Sequence, residues 1–219
     1  MHGFTHWLLT AAMIATGSAA AAQPSGQTIA NEGLGSDAAP CTSCHGADGG
    51  GNPAAGFPRL AGIGAPYLAD QLDAFASGAR DNAVMKPIAQ ALSDDQRRAV
   101  AEYYSGLPVP EQDSTDTDDI PAAGVELAEH GRWSDGLPAC VQCHGPAGVG
   151  VGERFPPLAG QSATYIENQL RAWRNGKRPG GPMGLMAGVA AKLEEADLAP
   201  VARYFAAQSP TTDEADDHE

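Results

Sequence analysis

The sequence of 219 residues lacks a hydrophobic run long enough to cross a membrane. Its longest apolar stretch, "WLLTAAMIAT" from Trp7 to Thr16, has about ten residues, whereas a spanning helix needs about 20. Small residues follow, and Ala20 and Ala22 have the spacing of a signal-peptidase site, although no Lys or Arg precedes the apolar stretch. We therefore predict a signal peptide over residues 1–22 and a mature chain in the periplasm. Peripheral association with a membrane stays open.

Basic residues are also scarce. Lys and Arg total 13 against 27 Asp and Glu, which gives a net charge of -14 at pH 7. The excess of acidic over basic residues is concentrated in residues 106–123 and 210–219, where no Lys or Arg occurs. Such a surface repels phosphate groups, which excludes nucleic-acid binding. One dense group of cations is a candidate docking surface for an acidic partner; its members are Arg171, Arg174, Lys177 and Arg178.

The alternation of polar and apolar residues that is typical of β-strands is absent, so the predicted fold class is all-α. Residues 66–77 and 162–175 are predicted helices, each followed by a glycine. A last helix in the first half begins with "SDDQ", Ser93 to Gln96, which is a capping-box pattern. In the second half Pro200 falls where the helix interior should be, so we expect that helix to start late or to kink.

Two copies of one unit make up the remaining sequence. The "LAG" segments at Leu60 and Leu158 lie 98 residues apart, and Met85 and Met186 lie 101 apart because the second copy has three extra residues between these points. Self-similarity with two copies predicts tandem domains. We place the first domain at residues 23–106, an acidic Pro-rich linker at 107–122, the second domain at 123–209 and an acidic tail at 210–219. Domains this small often need a prosthetic group for stability.

Cysteine is limited to four residues, and all four stand in two C-x-x-C-H motifs. The motif indicates covalent attachment of haem c, because two thiols on one helical turn reach the two vinyl groups and the following His reaches the iron. A thioredoxin-like dithiol would need a βαβ setting, and a zinc site would need a fourth ligand nearby in both copies. The predicted attachment residues are Cys41, Cys44, Cys140 and Cys143, and the predicted proximal iron ligands are His45 and His144.

A methionine follows each motif at a distance that suits the sixth iron ligand. Met85 lies 40 residues after His45, and Met186 lies 42 residues after His144. A thioether is a soft ligand that raises the reduction potential of the iron. In the second copy Met183 competes for this role, and the register of the repeat favours Met186.

Further residues are candidates for contacts around the haems. The carbonyl groups of Pro58 and Pro156 could accept the Nδ1–H of the proximal histidines and orient their rings. Arg80 and Arg178 could pair with haem propionates. Aromatic residues at helical spacing are predicted to pack against the haems; they are Tyr67, Phe75, Tyr165 and Trp173.

These motifs resemble the two-domain, two-haem cytochromes c of the cytochrome c4 type. The resemblance covers about residues 29 to 208 and rests on the paired "CxxCHG" and "FPxLAG" segments and on "YLADQLDAF" with "YIENQLRAW". It implies two class-I-like cytochrome c domains with their haem propionate edges facing, and His–Met ligation at both irons. It also implies a periplasmic electron carrier in a respiratory chain that ends in a haem-copper oxidase.

Two six-coordinate haems leave no open iron position for a substrate, so we predict electron transfer and not catalysis. The expected partners are redox proteins: a quinol-oxidising cytochrome complex as donor with a haem-copper oxidase as acceptor, or a flavoprotein dehydrogenase. Two alternatives stay open. The chain could be a subunit of a larger dehydrogenase, such as a sulfide-oxidising flavoprotein, or a dihaem enzyme such as a peroxidase, with one iron that lacks its Met.

Overall fold

The computed structural model describes residues 23–110, 120–179, 181 and 184–210. The predicted signal peptide, most of the predicted linker, the acidic tail from residue 211 and Met183 lie outside these residues. Within them the chain is helical, and pairing of extended backbone is limited to three isolated bridges. No helix in this part of the chain is long and apolar enough to cross a membrane. The predicted all-α fold class is confirmed.

In the described residues, each half of the chain contributes five α-helices in the same order. The first half contains α1 (Gly26–Glu32), α2 (Thr42–His45), α3 (Ala65–Ser77), α4 (Met85–Ala91) and α5 (Asp94–Ser105). The second half contains α6 (Ala122–Glu129), α7 (Val141–His144), α8 (Ala163–Arg174), α9 (Leu185–Ala190) and α10 (Glu195–Ala206). The helices predicted at residues 66–77 and 162–175 therefore exist, with ends that differ by no more than one residue.

The first and last helices of each half cross at a glycine. Gly26 of α1 lies against the carbonyl of Ala99 in α5, and Gly124 of α6 lies against the carbonyl of Pro200 in α10. A Cβ atom at either glycine would overlap the opposing carbonyl oxygen, so the backbones approach this closely only where a side chain is missing. Because the two glycines lie 98 residues apart, the crossing belongs to the duplicated unit.

Each half also has a hydrophobic core of its own. Both cores are formed where the first, the long middle and the last helix of a half meet. The first core includes Ile29, Leu68, Leu92, Val100 and Tyr104. The second core includes Leu127, Ile166, Leu170, Leu198 and Phe205. The described ends of the predicted linker pack on these cores, with Leu107 on the first core and Ile120 on the second. The domain boundaries stay a prediction.

The last helix of each half begins with a capping box. In α5 the box between Ser93 and Gln96 is confirmed. The expectation that Pro200 would delay the start of the last helix is wrong, because α10 begins at Glu195, with Glu194 and Asp197 forming a capping box, and continues past Pro200. The proline is the sixth helical residue, so the helix forfeits the one hydrogen bond that an N–H at this position would donate to the carbonyl of Ala196, and it continues nonetheless. A kink at Pro200 stays a prediction.

The four clustered cations do not form a free basic surface, so this prediction is wrong. Arg171 pairs with Glu167 and Glu195, and Arg174 pairs with Glu195. Arg178 is buried. The chain therefore neutralises or encloses three of the four side chains that the sequence placed in a docking surface.

Replacing Gly124 with Ala should lower the stability of the second half by about 1–3 kcal/mol, the usual cost of overpacking, because the new methyl group overlaps the Pro200 carbonyl oxygen. Urea unfolding followed by far-ultraviolet circular dichroism measures the effect. Gly188→Ala is the matched control, since a Cβ there meets no described atom within 4 Å and should be neutral or stabilising. Equal unfolding midpoints for Gly124→Ala and the parent protein would contradict the close helix crossing.

Candidate functional site

Each C-x-x-C-H motif folds as one helical turn. Cys41 and Cys140 occupy the N-cap positions of α2 and α7, and His45 and His144 are the last residues of these helices. The N–H of each histidine bonds to the carbonyl of the first cysteine, at 2.9 Å in the first motif and 3.0 Å in the second. One turn of helix therefore carries two thiols and an imidazole in both halves.

A prolyl carbonyl orients the ring of each motif histidine. His45 Nδ1 lies 2.9 Å from the carbonyl oxygen of Pro58, and His144 Nδ1 lies 2.9 Å from that of Pro156. Because a carbonyl can only accept, Nδ1 carries the proton and Nε2 keeps its lone pair for a metal. Burial lowers the pKa of both imidazoles, and the carbonyl bond raises it by less. Both rings are therefore neutral near pH 7, which is the form that binds iron.

The structure has no disulfide within either motif. Burial raises the pKa of the Cys41 thiol and raises that of Cys140 to about 11. A redox-active dithiol of the thioredoxin type depends on a lowered pKa, because the thiolate is the reactive form. The setting of these cysteines therefore does not support the dithiol alternative.

The two predicted methionine ligands lie at the starts of equivalent short helices. Met85 is the first residue of α4, and its N–H donates to Oδ1 of Asn82 at 2.8 Å. Met186 is the second residue of α9 and packs, half-buried, against the second core. Its rival Met183 lies outside the described residues. The roles of Met85 and Met186 as iron ligands stay predictions.

Arg80 and Arg178, the predicted partners of haem propionates, are buried where the two halves meet, each with 6% of its surface exposed. Arg80 Nη2 donates to the hydroxyl of Tyr165 at 2.9 Å, and Arg178 Nη2 donates to the hydroxyl of Tyr67 at 2.5 Å. Two tyrosines that were predicted as haem-packing core thus use their hydroxyl groups to contact the opposite half. The network follows the repeat, since each contact has a counterpart 98 residues away.

Two glutamine side chains bridge these arginines. Gln71 Oε1 accepts from Arg80 Nη1 at 2.8 Å and from Arg178 Nη2 at 3.0 Å. Gln169 Oε1 accepts from Arg80 Nη2 at 2.6 Å and from Arg178 Nη1 at 3.2 Å. Each guanidinium also stacks on an aromatic ring of its own half, those of Phe75 and Trp173. All these partners are neutral, and among the described residues no carboxylate forms an ion pair with either arginine.

This arginine network has the properties of an anion site. Burial raises the pKa of Tyr165, but the charges of Arg80 and Arg178 outweigh burial and hold this pKa below its usual value. Two buried cations at one place are costly unless negative charge compensates them. Haem propionates are carboxylates, which guanidinium groups bind in a two-pronged manner. The paired thiols, the neutral imidazoles and the uncompensated cations therefore fit two haem groups.

The contact of Arg59 with Gln161 of the opposite half is among those that were missed from the sequence. The backbone N–H of Arg59, a residue only 2% exposed, donates to Gln161 Oε1 at 3.1 Å. The equivalent residues in the other copy are Pro157 and Ile63. Comparison of the two copies therefore could not predict that Arg59 and Gln161 interact. The bridging glutamines could have been found, because they recur at the offset of 98.

Two family models match the chain, one in each half. Residues 26–107 match the model described as "Cytochrome c", and residues 133–205 match the model described as "Cytochrome C oxidase, cbb3-type, subunit III". The matched ranges contain one C-x-x-C-H motif each.

Known relatives match over most of the chain. A protein of Thiomonas intermedia named "Thiosulfate dehydrogenase electron acceptor" is 54% identical, with 80% of this chain and 82% of the relative covered. A protein of Stutzerimonas stutzeri with the same name is 48% identical over 92% of this chain and 94% of the relative. "Cytochrome c4" of Pseudomonas aeruginosa is 36% identical over 90% of this chain and 96% of the relative.

Two solved structures are similar in fold. A thiosulfate dehydrogenase from Marichromatium purpuratum has a TM-score of 0.77 and 45% identity over 84% of this chain, which spans only 40% of that longer chain. Reduced cytochrome c4 from Pseudomonas stutzeri has a TM-score of 0.73 and 33% identity, with 84% of this chain and 96% of that chain covered.

Replacing Cys140 and Cys143 with Ser should remove one covalent haem and leave the other, because the two halves have separate cores and separate motifs. Intact mass spectrometry, with a pyridine haemochromogen assay for haem content, measures the number of attached groups. The matched variant replaces Cys41 and Cys44 and should give the same count. Loss of both haems from either variant, or retention of both, would contradict independent attachment.

Proposed function

The chain belongs to the cytochrome c4 family of two-domain cytochromes c with two covalently bound haem c groups, and we propose that it is the electron acceptor of a thiosulfate dehydrogenase. That the chain transfers electrons follows from its family, whereas the identity of its electron donor is what we propose. The observation that carries it is the identity of 54% and 48% to two proteins named as such acceptors, against 36% to a cytochrome c4.

A solved thiosulfate dehydrogenase supports the same partner. This chain matches 40% of that longer chain, as expected if an acceptor unit and a dehydrogenase unit are joined in one polypeptide. The proposal therefore corresponds to the alternative in which the chain is a subunit of a larger dehydrogenase. The dehydrogenase would be one for thiosulfate and not a flavoprotein.

The roles that we propose for the motif residues explain how the chain would carry electrons. Each bound haem supplies one-electron chemistry between Fe(III) and Fe(II). Cys41 and Cys44 anchor the first group, and Cys140 and Cys143 anchor the second. His45 and His144 offer Nε2 to the irons because Pro58 and Pro156 hold the protons on Nδ1.

The proposed sixth ligands complete a carrier and not an enzyme. With Met85 and Met186 bound, neither iron has a free position, so oxidation of thiosulfate must take place on the partner. Arg80 and Arg178 would bind the propionates and compensate their charge. We place the protein in the periplasm, where a haem-copper oxidase or another respiratory complex would be the onward acceptor.

Thiosulfate alone should not reduce the ferric protein, whereas thiosulfate with a catalytic amount of dehydrogenase should reduce both haems, which is two electrons per chain. Stopped-flow absorbance in the haem α-band with the thiosulfate dehydrogenase of Stutzerimonas stutzeri measures this. The Pseudomonas aeruginosa protein named cytochrome c4 is the control and should be reduced more slowly. Reduction by thiosulfate without enzyme would indicate a dihaem enzyme, and a rate no faster than the control would contradict the proposed donor.

Met85→Ala and Met186→Ala should each remove one methionine ligand and lower the potential of one haem. The expected fall is on the order of 0.1 V, within the range of about 0.8 V that axial ligands span. Each variant should also lose about half of the weak far-red absorption that methionine ligation gives to ferric haem. Met183→Ala is the control, and a loss of the far-red absorption in Met183→Ala but not in Met186→Ala would reassign the second ligand.

A further inference from the structure

Arg59 is a cation enclosed between the two halves of the chain. Its Nη1 donates to the carbonyl of Ala61 at 2.6 Å, and its Nη2 donates to the carbonyl of Ala159 at 2.9 Å. These alanines are the central residues of the two "LAG" segments and lie 98 residues apart, so they are counterparts in the repeat. The guanidinium of Arg59 therefore contacts the same position of both halves.

Gln161 holds the main chain of Arg59 from the opposite half. Its Oε1 accepts from the Arg59 N–H and its Nε2 donates to the Arg59 carbonyl, both at 3.1 Å. Gln161 is itself buried. Any sliding between the halves would leave these buried backbone groups without partners, which is unfavourable. The pair therefore fixes the relative position of the two halves at this point.

The segments that Arg59 joins are tied to the two haem-binding motifs. Ala61 and Ala159 donate their N–H groups, at 3.1 Å and 2.9 Å, to glycines that lie four residues after each motif histidine. Pro58, which precedes Arg59, accepts from His45 Nδ1. A continuous set of hydrogen bonds and covalent bonds thus runs from one motif loop through Arg59 to the other.

Arg59 keeps its charge in this setting. Burial lowers its pKa to about 10, which is still well above neutral pH. Its Nε has no hydrogen-bond partner, and no carboxylate in the described part of the chain forms an ion pair with it. Ferric haem has one more positive charge than ferrous haem, so a buried cation nearby favours the ferrous form and raises the reduction potential.

We propose that Arg59 and Gln161 form an interdomain clasp that fixes the two haem-binding loops relative to each other and places one positive charge where both haems experience it. The two residues act as positioning residues for electron transfer between the haems. The clasp does not depend on which dehydrogenase donates the electrons, so its test is independent of the thiosulfate assay.

Arg59→Met tests the charge. Both midpoint potentials should fall in a redox titration, by up to about a tenfold change in the Fe(II)/Fe(III) ratio, which is about 59 mV for one electron. Arg59→Lys keeps the charge and should retain the parent potentials. Arg154→Gln is the matched control: it removes an exposed cation that pairs with Asp70 between the halves at 2.7 Å, and screening by solvent should leave both potentials unchanged.

Gln161→Met tests the positioning. The charge of Arg59 is retained, so the potentials should stay close to those of the parent, while electron exchange between the haems slows. Pulse radiolysis of the half-reduced protein measures this rate, and we expect it to fall, because small misplacements of reacting groups slow a reaction. Arg154→Gln again serves as the control and should keep the parent rate.

Three results would overturn the clasp. Unchanged potentials in Arg59→Met would remove the proposed charge effect, and a shift of only one potential would show that the charge is not shared. A parent-like exchange rate in Gln161→Met would remove the positioning role. If Arg59→Met does not fold with both haems, Arg59→Gln removes the same charge while keeping a hydrogen-bond donor and tests the potentials in its place, and Gln161→Met still tests the positioning.

Discussion

The hydrogen bond from each motif histidine to a prolyl carbonyl is the contact on which the rest of the structure depends. It fixes the proton on Nδ1 and leaves Nε2 free, and it can form only if the "FPxLAG" segment folds back over the motif. The same segment then places Ala61 or Ala159 on the loop after the motif and brings these residues to the boundary between the halves. Ligand orientation and domain contact are therefore properties of one stretch of chain.

Two buried networks are among the contacts that join the halves. The network of Arg80 and Arg178 recurs at the offset of the repeat, so duplication of one unit explains it. The pair of Arg59 and Gln161 has no counterpart in the repeat, where Pro157 and Ile63 stand at the equivalent positions. The repeated contacts give both halves a buried, positively charged setting, which suits the propionate role that we propose for Arg80 and Arg178. The contact between Arg59 and Gln161 can fix the position of one half relative to the other without changing either motif.

Much of this structure was predictable from the sequence, and the failures have physical causes. Spacing within "CTSCH" and "CVQCH", the repeat offset and the absence of strand patterns predicted the motifs and the helical halves. Periodicity predicts that Tyr67 packs against the core of its own half, but it does not predict that the Tyr67 hydroxyl contacts the other half. The predicted late start of the last helix at Pro200 was wrong because local helix rules omit the packing of α10 on Gly124 of α6. This packing favours the full helix. The predicted basic docking surface was wrong because the closeness of Arg171 and Arg178 in sequence does not reveal that Glu195 pairs with Arg171 or that Arg178 is buried.

The central claim is that both irons are fully ligated and that the chain therefore carries electrons without substrate chemistry of its own. Exposure of the fully reduced protein to carbon monoxide tests this most directly, because this gas binds ferrous haem wherever a coordination position is open. The account predicts an absorbance spectrum that is unchanged at both haems. Binding of carbon monoxide at either haem would show an open iron and contradict the claim.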